Sequence, residues 1–307
     1  MKGPAGVVFS PAIKSAGILA EDAAEMLRGI IPDETSVELE KPDPNVGHHA
    51  IVTKADDGIQ SFILQTLVEN FPGARFIAEE KAGGIAQVIS RDEDLGVLQD
   101  GGFVFGIDPL DGTSMFQNQL WESSVSIGVM ENGMHVGGGI SAPYVRGGIS
   151  VVGERGKGVF LSEGPTGGWS RVSNIQDRPL KQAVVFIGPD IFFMDQFNRF
   201  VNEFSRRVRT TSCIGSGALG LAMVAAGRVD ALIQPVQCPW DWFAGYPLVE
   251  EAGGKVQFYH YREGKIEALP KPDLPSYSPT GRNTAFIAGS PAIVDFLFDS
   301  LAKPFGK

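Results

Sequence analysis

Four acidic stretches of this chain stand where a strand ends or a helix begins: Asp56 in VTKADD, Glu79 and Glu80 in FIAEE, Asp108 and Asp111 in IDPLDGT, and Asp241 in PWDWFAG. Carboxylates are hard oxygen donors, and pairs of them at one strand end can share a cation such as Mg²⁺. In IDPLDGT, Pro109 and Leu110 separate the two aspartates, and Gly112 and Thr113 follow at once. The N–H groups of Gly112 and Thr113, opening a helix, can hold a phosphate. Each stretch also has a purely structural reading. Asp, Pro and Gly make turns, and Asp111 or Thr113 can cap a helix. Asp56 can cap the helix after it, Asp241 can do the same after Pro239, and Glu80 can pair with Lys81 or an arginine. Together, and with a helix start at Gly215–Ser216–Gly217, the stretches describe several carboxylates and two helix N-termini able to meet at one pocket.

The elements that must position these residues follow from periodicity and turn chemistry. Apolar residues at helical spacing predict a helix over 11–31 and a second in IQSFILQTLVENF. KPDPNVGHH reads as a loop between them, with His48 and His49 solvated. FIAEE ends a short strand, and residues 81–102 read as a partly mobile loop. From 103 to about 162 the pattern is strand-rich with glycine turns. Residues 163–180 are loop-like. AVVFIGP is a strand and IFFMDQFNRFVNEF a helix. VRTTSCIGSGALGLAMVAAGRVDALIQP reads as strand, glycine turn, helix and strand, with Gly227 just past the helix. CPWDWFAGYPLVEEAGG is a turn and helix in which Pro247 can introduce a kink. TAFIAGSPAIVDFLFDSLA closes the chain as strand and helix. The order predicts an α+β subdomain over 1–170, carrying most of the carboxylates. A more alternating α/β subdomain follows over 171–307, carrying Asp241 and the glycine turn.

Composition narrows the function classes. The chain has 307 residues and a net charge of −10. That charge argues against a nucleic-acid or anionic-membrane partner, since both need a basic face. An acidic protein that handles anionic substrates needs a cation to bring them in. Two cysteines, Cys213 and Cys238, imply no disulfide framework, and both read as small buried residues. The first residues lack the apolar segment of a secretory signal, and no apolar run reaches the length of a membrane span. A cytoplasmic location is therefore expected. The four histidines show no zinc-ligand spacing.

In order along the chain, T-K-A-D, F-I-A-E-E, D-P-L-D-G-T-S, G-S-G-A-L…A-A-G-R-V-D and W-D-x-x-A…E-A-G-G resemble the signature of the inositol monophosphatase family. That family belongs to the Mg²⁺-dependent, lithium-sensitive sugar phosphatases. The match runs from about residue 10 to 295. The resemblance implies a layered α-β-α-β-α sandwich, hydrolysis of a small phosphate monoester, two or three Mg²⁺ ions per active site, and a homodimer. By position it implies that Glu79, Asp108 and the carbonyl of Leu110 bind one Mg²⁺, and that Asp108, Asp111 and Asp241 bind a second. Asp56 and Glu79 would lie near a third, weaker site. Asp56, with Thr113, would orient or deprotonate the attacking water, and Glu79 would join them in catalysis. The substrate would contact Leu110, Asp111, Gly112, Thr113, the turn Gly215–Ser216–Gly217, position 234 and Asp241.

The chain departs from the family at that position 234. The family places a glutamate seven residues before the W-D aspartate, and here it is Gln234, which is neutral and can donate as well as accept. A cyclitol or sugar monophosphate is the expected substrate. Histidinol phosphate, fructose 1,6-bisphosphate and a 3′-phosphonucleotide are the alternatives within the superfamily. Two other readings come from different classes. Haloacid-dehalogenase phosphatases carry D-x-D-x-T after a strand, but the spacing here is one residue longer. A non-catalytic sugar-phosphate binder would be favoured by a missing acidic ligand, and all the expected acidic positions are occupied.

Overall fold

Two large sheets and the helices stacked on them carry the acidic stretches. The computed structural model describes residues 6–30, 37–42, 49–80, 85–164, 167–262, 265–280 and 284–302. The chain begins with α1 (Pro11–Arg28), the strands β1 (Val37–Pro42) and β2 (His49–Thr53), and α2 (Lys54–Asn70). Strands β1 and β2 pair antiparallel as a separate hairpin. The first large sheet follows as β3 (Arg75–Ala78), β4 (Phe103–Asp111), β5 (Ser124–Glu131), β6 (Met134–Ala142), β7 (Ile149–Glu154), β8 (Gly158–Glu163) and β9 (Ser170–Arg171), in that spatial order. Strands β3 and β4 run parallel, and the later pairs of this sheet are antiparallel. A short helix, α3 (Thr113–Gln117), interrupts the run between β4 and β5.

The second half contributes β10 (Val184–Ile187), α4 (Asp195–Ser205), β11 (Thr210–Cys213), α5 (Gly217–Ala225), β12 (Ala231–Gln237), α6 (Pro239–Phe243), α7 (Gly245–Glu251), β13 (Lys255–Arg262), β14 (Lys265–Leu269), β15 (Thr284–Gly289) and α8 (Pro291–Ala302). The second sheet has the order β11-β10-β12-β15-β13-β14. Strands β10, β11 and β12 are mutually parallel, and the others are antiparallel. Helices α1 and α2 cover the outer face of the first sheet. Helices α5, α6 and α7 fill the space between the sheets. Helices α4 and α8 cover the outer face of the second. This is the expected α-β-α-β-α sandwich, each amphipathic helix burying its apolar face against a sheet.

Several boundaries differ from the sequence expectation for identifiable reasons. The second helix starts at Lys54, five residues earlier than predicted, because Thr53 and Asp56 form a capping box there. Lys41 and Pro42 end β1 and His49 opens β2, so these positions of the expected loop are strand; its remaining residues, 43–48, lie outside the described residues. Residues 81–84 also lie outside them. The rest of the expected mobile loop is folded: Asp92–Gln99 forms a 3₁₀ helix that buries Leu95 and Leu98. The predicted helix near 191–204 opens as a 3₁₀ turn over Pro189–Phe193 before α4. The W-D stretch breaks at Ala244 into α6 and α7. Pro247 falls in the first turn of α7, where its missing N–H costs no hydrogen bond, so it is not the cause of the break. Neither cysteine is buried as expected: Cys213 is exposed and Cys238 partly so.

A row of glycines in the first sheet sets how closely the middle layer approaches. Gly106 of β4 pairs with Gly128 of β5, Gly128 with Gly138 of β6, and Gly138 with Gly153 of β7. The four form a bare track across the sheet. A Cβ on Gly106 would overlap the Phe243 ring. On Gly128 it would stand 2.5 Å from the Ala244 nitrogen, and on Gly153 2.7 Å from Leu248 Cδ2. The junction of α6 and α7 therefore rests on backbone, which brings Asp241 down toward the end of β4.

Candidate active site

The site assembles where β4 ends, beside the start of α2. Asp56 is fully buried. Its Oδ2 accepts from the Thr53 N–H at 2.8 Å and the Thr53 hydroxyl at 2.6 Å. Thr113 Oγ1 lies 3.1 Å from Asp56 Oδ1 and 3.0 Å from the Leu110 carbonyl. One hydroxyl proton serves one of these acceptors at a time, so Thr113 links Asp56 to the Leu110 carbonyl. Asp108 Oδ1 accepts from the Leu110 N–H at 3.0 Å, which fixes the turn through Pro109. Gly112 follows with φ at 89°, and a Cβ there would strike the Glu122 carbonyl. A left-handed glycine is thus required to start α3, whose first turn has no side-chain cap.

The second half contributes from two helix starts. Asp111 Oδ2 accepts from Ser216 Oγ at 2.7 Å and from the Ala218 N–H at 2.5 Å, seating its carboxylate on the N-terminus of α5. Ser216 also caps α5 through Leu219 N–H and lies 3.1 Å from Ser124 Oγ. Asp241, in the first turn of α6, accepts from the Cys238 N–H at 2.9 Å. Each of these acids therefore does the capping or turn work of the structural reading and still presents carboxylate oxygen to a common site.

Two carboxylate triads result. Ligand oxygens of Asp108, Asp111 and Asp241 lie within 4.8 Å of one another, as do those of Asp56, Glu79 and Glu80. Burial pushes the Asp108 carboxyl well above the usual range, and Glu79, Asp111 and Asp241 push it further. Burial raises Glu79 in the same way, assisted by Glu80, Asp56 and Asp241. Burial lifts Asp56 to about 6, against the lowering effect of its Thr53 hydrogen bonds. Glu79 Oε2 is buried and has no hydrogen-bond partner among the described residues. An orphaned acid oxygen amid like charges is costly unless a cation meets it. The donor set is all oxygen, which fits Mg²⁺.

The structure brings Asp56, Glu79, Asp108, Leu110, Asp111, Gly112, Thr113, Ser216 and Asp241 into one constellation. Glu80, whose expected pairing partner Lys81 lies outside the described residues, belongs to it too. Gln60 holds the Glu80 backbone at both ends, accepting from its N–H at 2.8 Å and donating to its carbonyl at 2.6 Å. Ser216 takes a different part from the one expected of it, since its hydroxyl orients Asp111. Gly215 donates its N–H to Glu122 Oε2 at 2.8 Å. Gln234 is buried against Gly188 and Gly217. Trp240 and Trp242 are core residues. Tyr144 lines a separate cavity of about 320 Å³ with Arg28, Phe116 and Trp121.

Sequence reading misses Ser124, Glu122 and His135. His135 of β6 lies under α6, 2.9 Å from Tyr277 Oη and packed on the Trp242, Phe243 and Tyr246 rings. None of the three stands in a motif; only the fold brings Ser124 and Glu122 to Ser216 and Gly215, and His135 into the aromatic core beneath α6.

This layered sandwich with a shared carboxylate cluster defines a phosphatase. The chain belongs to the inositol monophosphatase family, which matches residues 10–290. It is 30% identical over 270 residues to the inositol-1-monophosphatase of Bacillus subtilis, covering 84% of each chain. It is 30% identical over 225 residues to the fructose-1,6-bisphosphatase/inositol-1-monophosphatase of Thermotoga maritima, covering 73% of this chain and 78% of that one. Among solved structures, the extragenic suppressor protein suhB from Bartonella henselae superposes with a TM-score of 0.73 at 26% identity, over 96% of this chain and 99% of that one.

Proposed function

We propose that the chain hydrolyses a small phosphate monoester, a cyclitol or sugar monophosphate, with Mg²⁺ held by the two carboxylate triads. Asp108, Asp111 and Asp241 would hold one ion. Glu79, Asp108 and the Leu110 carbonyl would hold another, and Asp56 and Glu79, with Glu80, would serve a weaker third site. The observation that carries this reading is the buried, unpartnered Glu79 Oε2 among carboxylates whose charges need a cation. Bound Mg²⁺ supplies Lewis-acid polarisation of the phosphate and makes a water acidic near neutral pH.

The chain's own residues do the rest. Thr113 Oγ1, 3.1 Å from Asp56 Oδ1, can accept a water's hydrogen bond while passing its own proton toward Asp56. Asp56, with its carboxyl lifted to about 6, is suited to take a proton near neutral pH. The N–H groups of Gly112 and Thr113 open α3 without a side-chain cap and can donate to phosphate oxygens. Gln234, beside Gly217, would contact the alcohol portion of the substrate.

The test is phosphate release from inositol 1-phosphate, histidinol phosphate, fructose 1,6-bisphosphate, 3′-phosphoadenosine 5′-phosphate and several sugar phosphates, first with Mg²⁺ and then with EDTA. Release that requires Mg²⁺ and favours a cyclitol or sugar monophosphate is expected. Preference for fructose 1,6-bisphosphate would move the substrate toward that in the name of the Thermotoga relative. Absence of release from every ester by a folded, Mg²⁺-binding protein would contradict the reading.

A further inference from the structure

Strand β5 sends alternate residues to opposite faces of the first sheet. Val125, Ile127 and Val129 pack with α1 and α2 on the outer face. The inner face therefore receives Ser124, Ser126 and Gly128. Two of these have evident work there. Gly128 lies bare beneath the backbone of Phe243 and Ala244, and Ser124 Oγ lies 3.1 Å from Ser216 Oγ at the start of α5. Ser126 stands between them. It is fully buried, and its Oγ has no hydrogen-bond partner among the described residues.

Strand register says what Ser126 faces. Gly106 pairs with Gly128 and Asp108 with Ser126, with no slip between the two pairs. Gly106 lies against the Phe243 ring, so Asp108, two residues on, faces the same inner side. Directly opposed residues of an antiparallel pair have Cβ atoms about 4.5–5.5 Å apart on one face. A serine and an aspartate can bridge that gap, because rotation about the serine Cα–Cβ bond carries Oγ between staggered positions. The cross-strand neighbour of Ser126 on its other side is Ile140 of β6, an apolar residue of the inner core. Of the two neighbours, Asp108 is the one that can accept a proton. Its Oδ1 already takes the Leu110 N–H, and a carboxylate has lone pairs for further donors.

We propose that Ser126 is a positioning residue of the metal site: its hydroxyl donates to the Asp108 carboxylate when Mg²⁺ is held, fixing that carboxylate in the orientation that serves both ions. The inference rests on the phosphatase reading above. Carboxylates that ligate metals are themselves held by hydrogen bonds, and losing such an outer partner weakens metal binding. Asp108 is common to both proposed ion sites, so a small rotation of its carboxylate disturbs both. Ser126 acts only through Asp108. Two serines on one face of β5 then have matching duties. Ser124 supports Ser216, which orients Asp111, and Ser126 orients Asp108 directly.

A buried hydroxyl without a partner costs the metal-free fold and serves the metal-bound one, so one substitution should act in opposite directions on the two. The experiment compares wild type, Ser126→Ala and Ser126→Cys. It measures thermal melting in EDTA, Mg²⁺ binding by titration calorimetry, and phosphate release from 4-nitrophenyl phosphate as Mg²⁺ is raised. In EDTA, Ser126→Ala should melt no lower than wild type. Its Mg²⁺ affinity should fall about tenfold or more, and the Mg²⁺ concentration for half-maximal release should rise in step. Ser126→Cys, whose thiol is a weaker donor, should fall between the two. Mg²⁺ binding within about twofold of wild type in folded Ser126→Ala overturns the inference while leaving the phosphatase reading intact. So does a Ser126→Ala protein that melts well below wild type in EDTA, because the hydroxyl would then serve the fold itself. Wild type that neither binds Mg²⁺ nor releases phosphate overturns the phosphatase reading, and this inference with it.

Discussion

The Phe243 ring occupies the space where Gly106 would carry a side chain. That contact joins two acids that are far apart in sequence at the site. Gly106 is two residues before Asp108 on β4, and Phe243 is two residues after Asp241 on α6. The distance between these carboxylates is therefore set by a ring lying on bare backbone, with the Gly128, Gly138 and Gly153 row continuing the seat beneath α6 and α7.

Replacing Gly128 by alanine should push the α6–α7 junction off the sheet. Its Cβ would stand 2.5 Å from backbone atoms of Phe243 and Ala244, neither of which can rotate away. Overpacking of this kind costs about 1–3 kcal/mol. Thermal melting should show the loss, and Mg²⁺ titration should show binding weakened by about tenfold or more as Asp241 moves.

Gly58→Ala should act in the opposite sense. Gly58 lies inside α2, and a Cβ there meets nothing within 4 Å. Alanine restricts the unfolded chain and suits a helix, so stability should rise by about 0.4–1 kcal/mol, read as a higher melting temperature.

Ser216→Ala removes the hydroxyl that caps α5 and donates to Asp111. The lost cap costs about 1 kcal/mol. Freed from its orienting partner, Asp111 should hold Mg²⁺ about 10–100-fold more weakly, as measured by titration calorimetry.

His135 gives a pH dependence with a defined sign. Burial lowers its pKa from 6.5 to about 3, so the folded protein holds it neutral. Its stability contribution is complete above pH 6.5 and is lost as pH falls from there toward 3, because the unfolded chain takes up the proton first. The slope is about 1.4 kcal/mol per pH unit inside that window. Asp56, raised to about 6, works the other way, favouring the metal-free fold as pH falls through 6 toward the ordinary carboxylate value. Subtracting the stability of His135→Phe from wild type at each pH isolates the histidine: the difference should grow against wild type between about pH 6 and pH 4.

What the sequence shows and what it hides divide along physical lines. Asp108, Leu110, Asp111, Gly112 and Thr113 are neighbours in the chain, so their turn and their chemistry can be read together. Asp56, Glu79 and Asp241 are recognisable only because each sits in its own local motif. Their convergence depends on sheet order, which no local pattern encodes. Ser124 and Glu122 act through contacts to Ser216 and Gly215, 92 and 93 positions away. The row Gly106–Gly128–Gly138–Gly153 depends on strand register, so in sequence it looks like scattered turn residues. The β13–β14 hairpin is a different case: no sequence expectation covers residues 255–269, and its strands emerge only in the structure. Ser216 reads as a substrate contact because a helix start invites a ligand, yet the ligand it seats is the chain's own Asp111.

The most direct test of the account is Asp108→Asn beside wild type, with phosphate release followed as Mg²⁺ is added. Asp108 is common to both proposed ion sites, and its side chain is buried among Glu79, Asp111 and Asp241. The variant removes a charge from a repelling cluster, so its metal-free form should melt no lower than wild type. Its Mg²⁺-dependent phosphate release should fall by at least about 10²-fold, since it loses several kcal/mol of metal-borne stabilisation. A folded Asp108→Asn protein that releases phosphate at close to the wild-type rate, with the same Mg²⁺ dependence, would contradict the shared-carboxylate site.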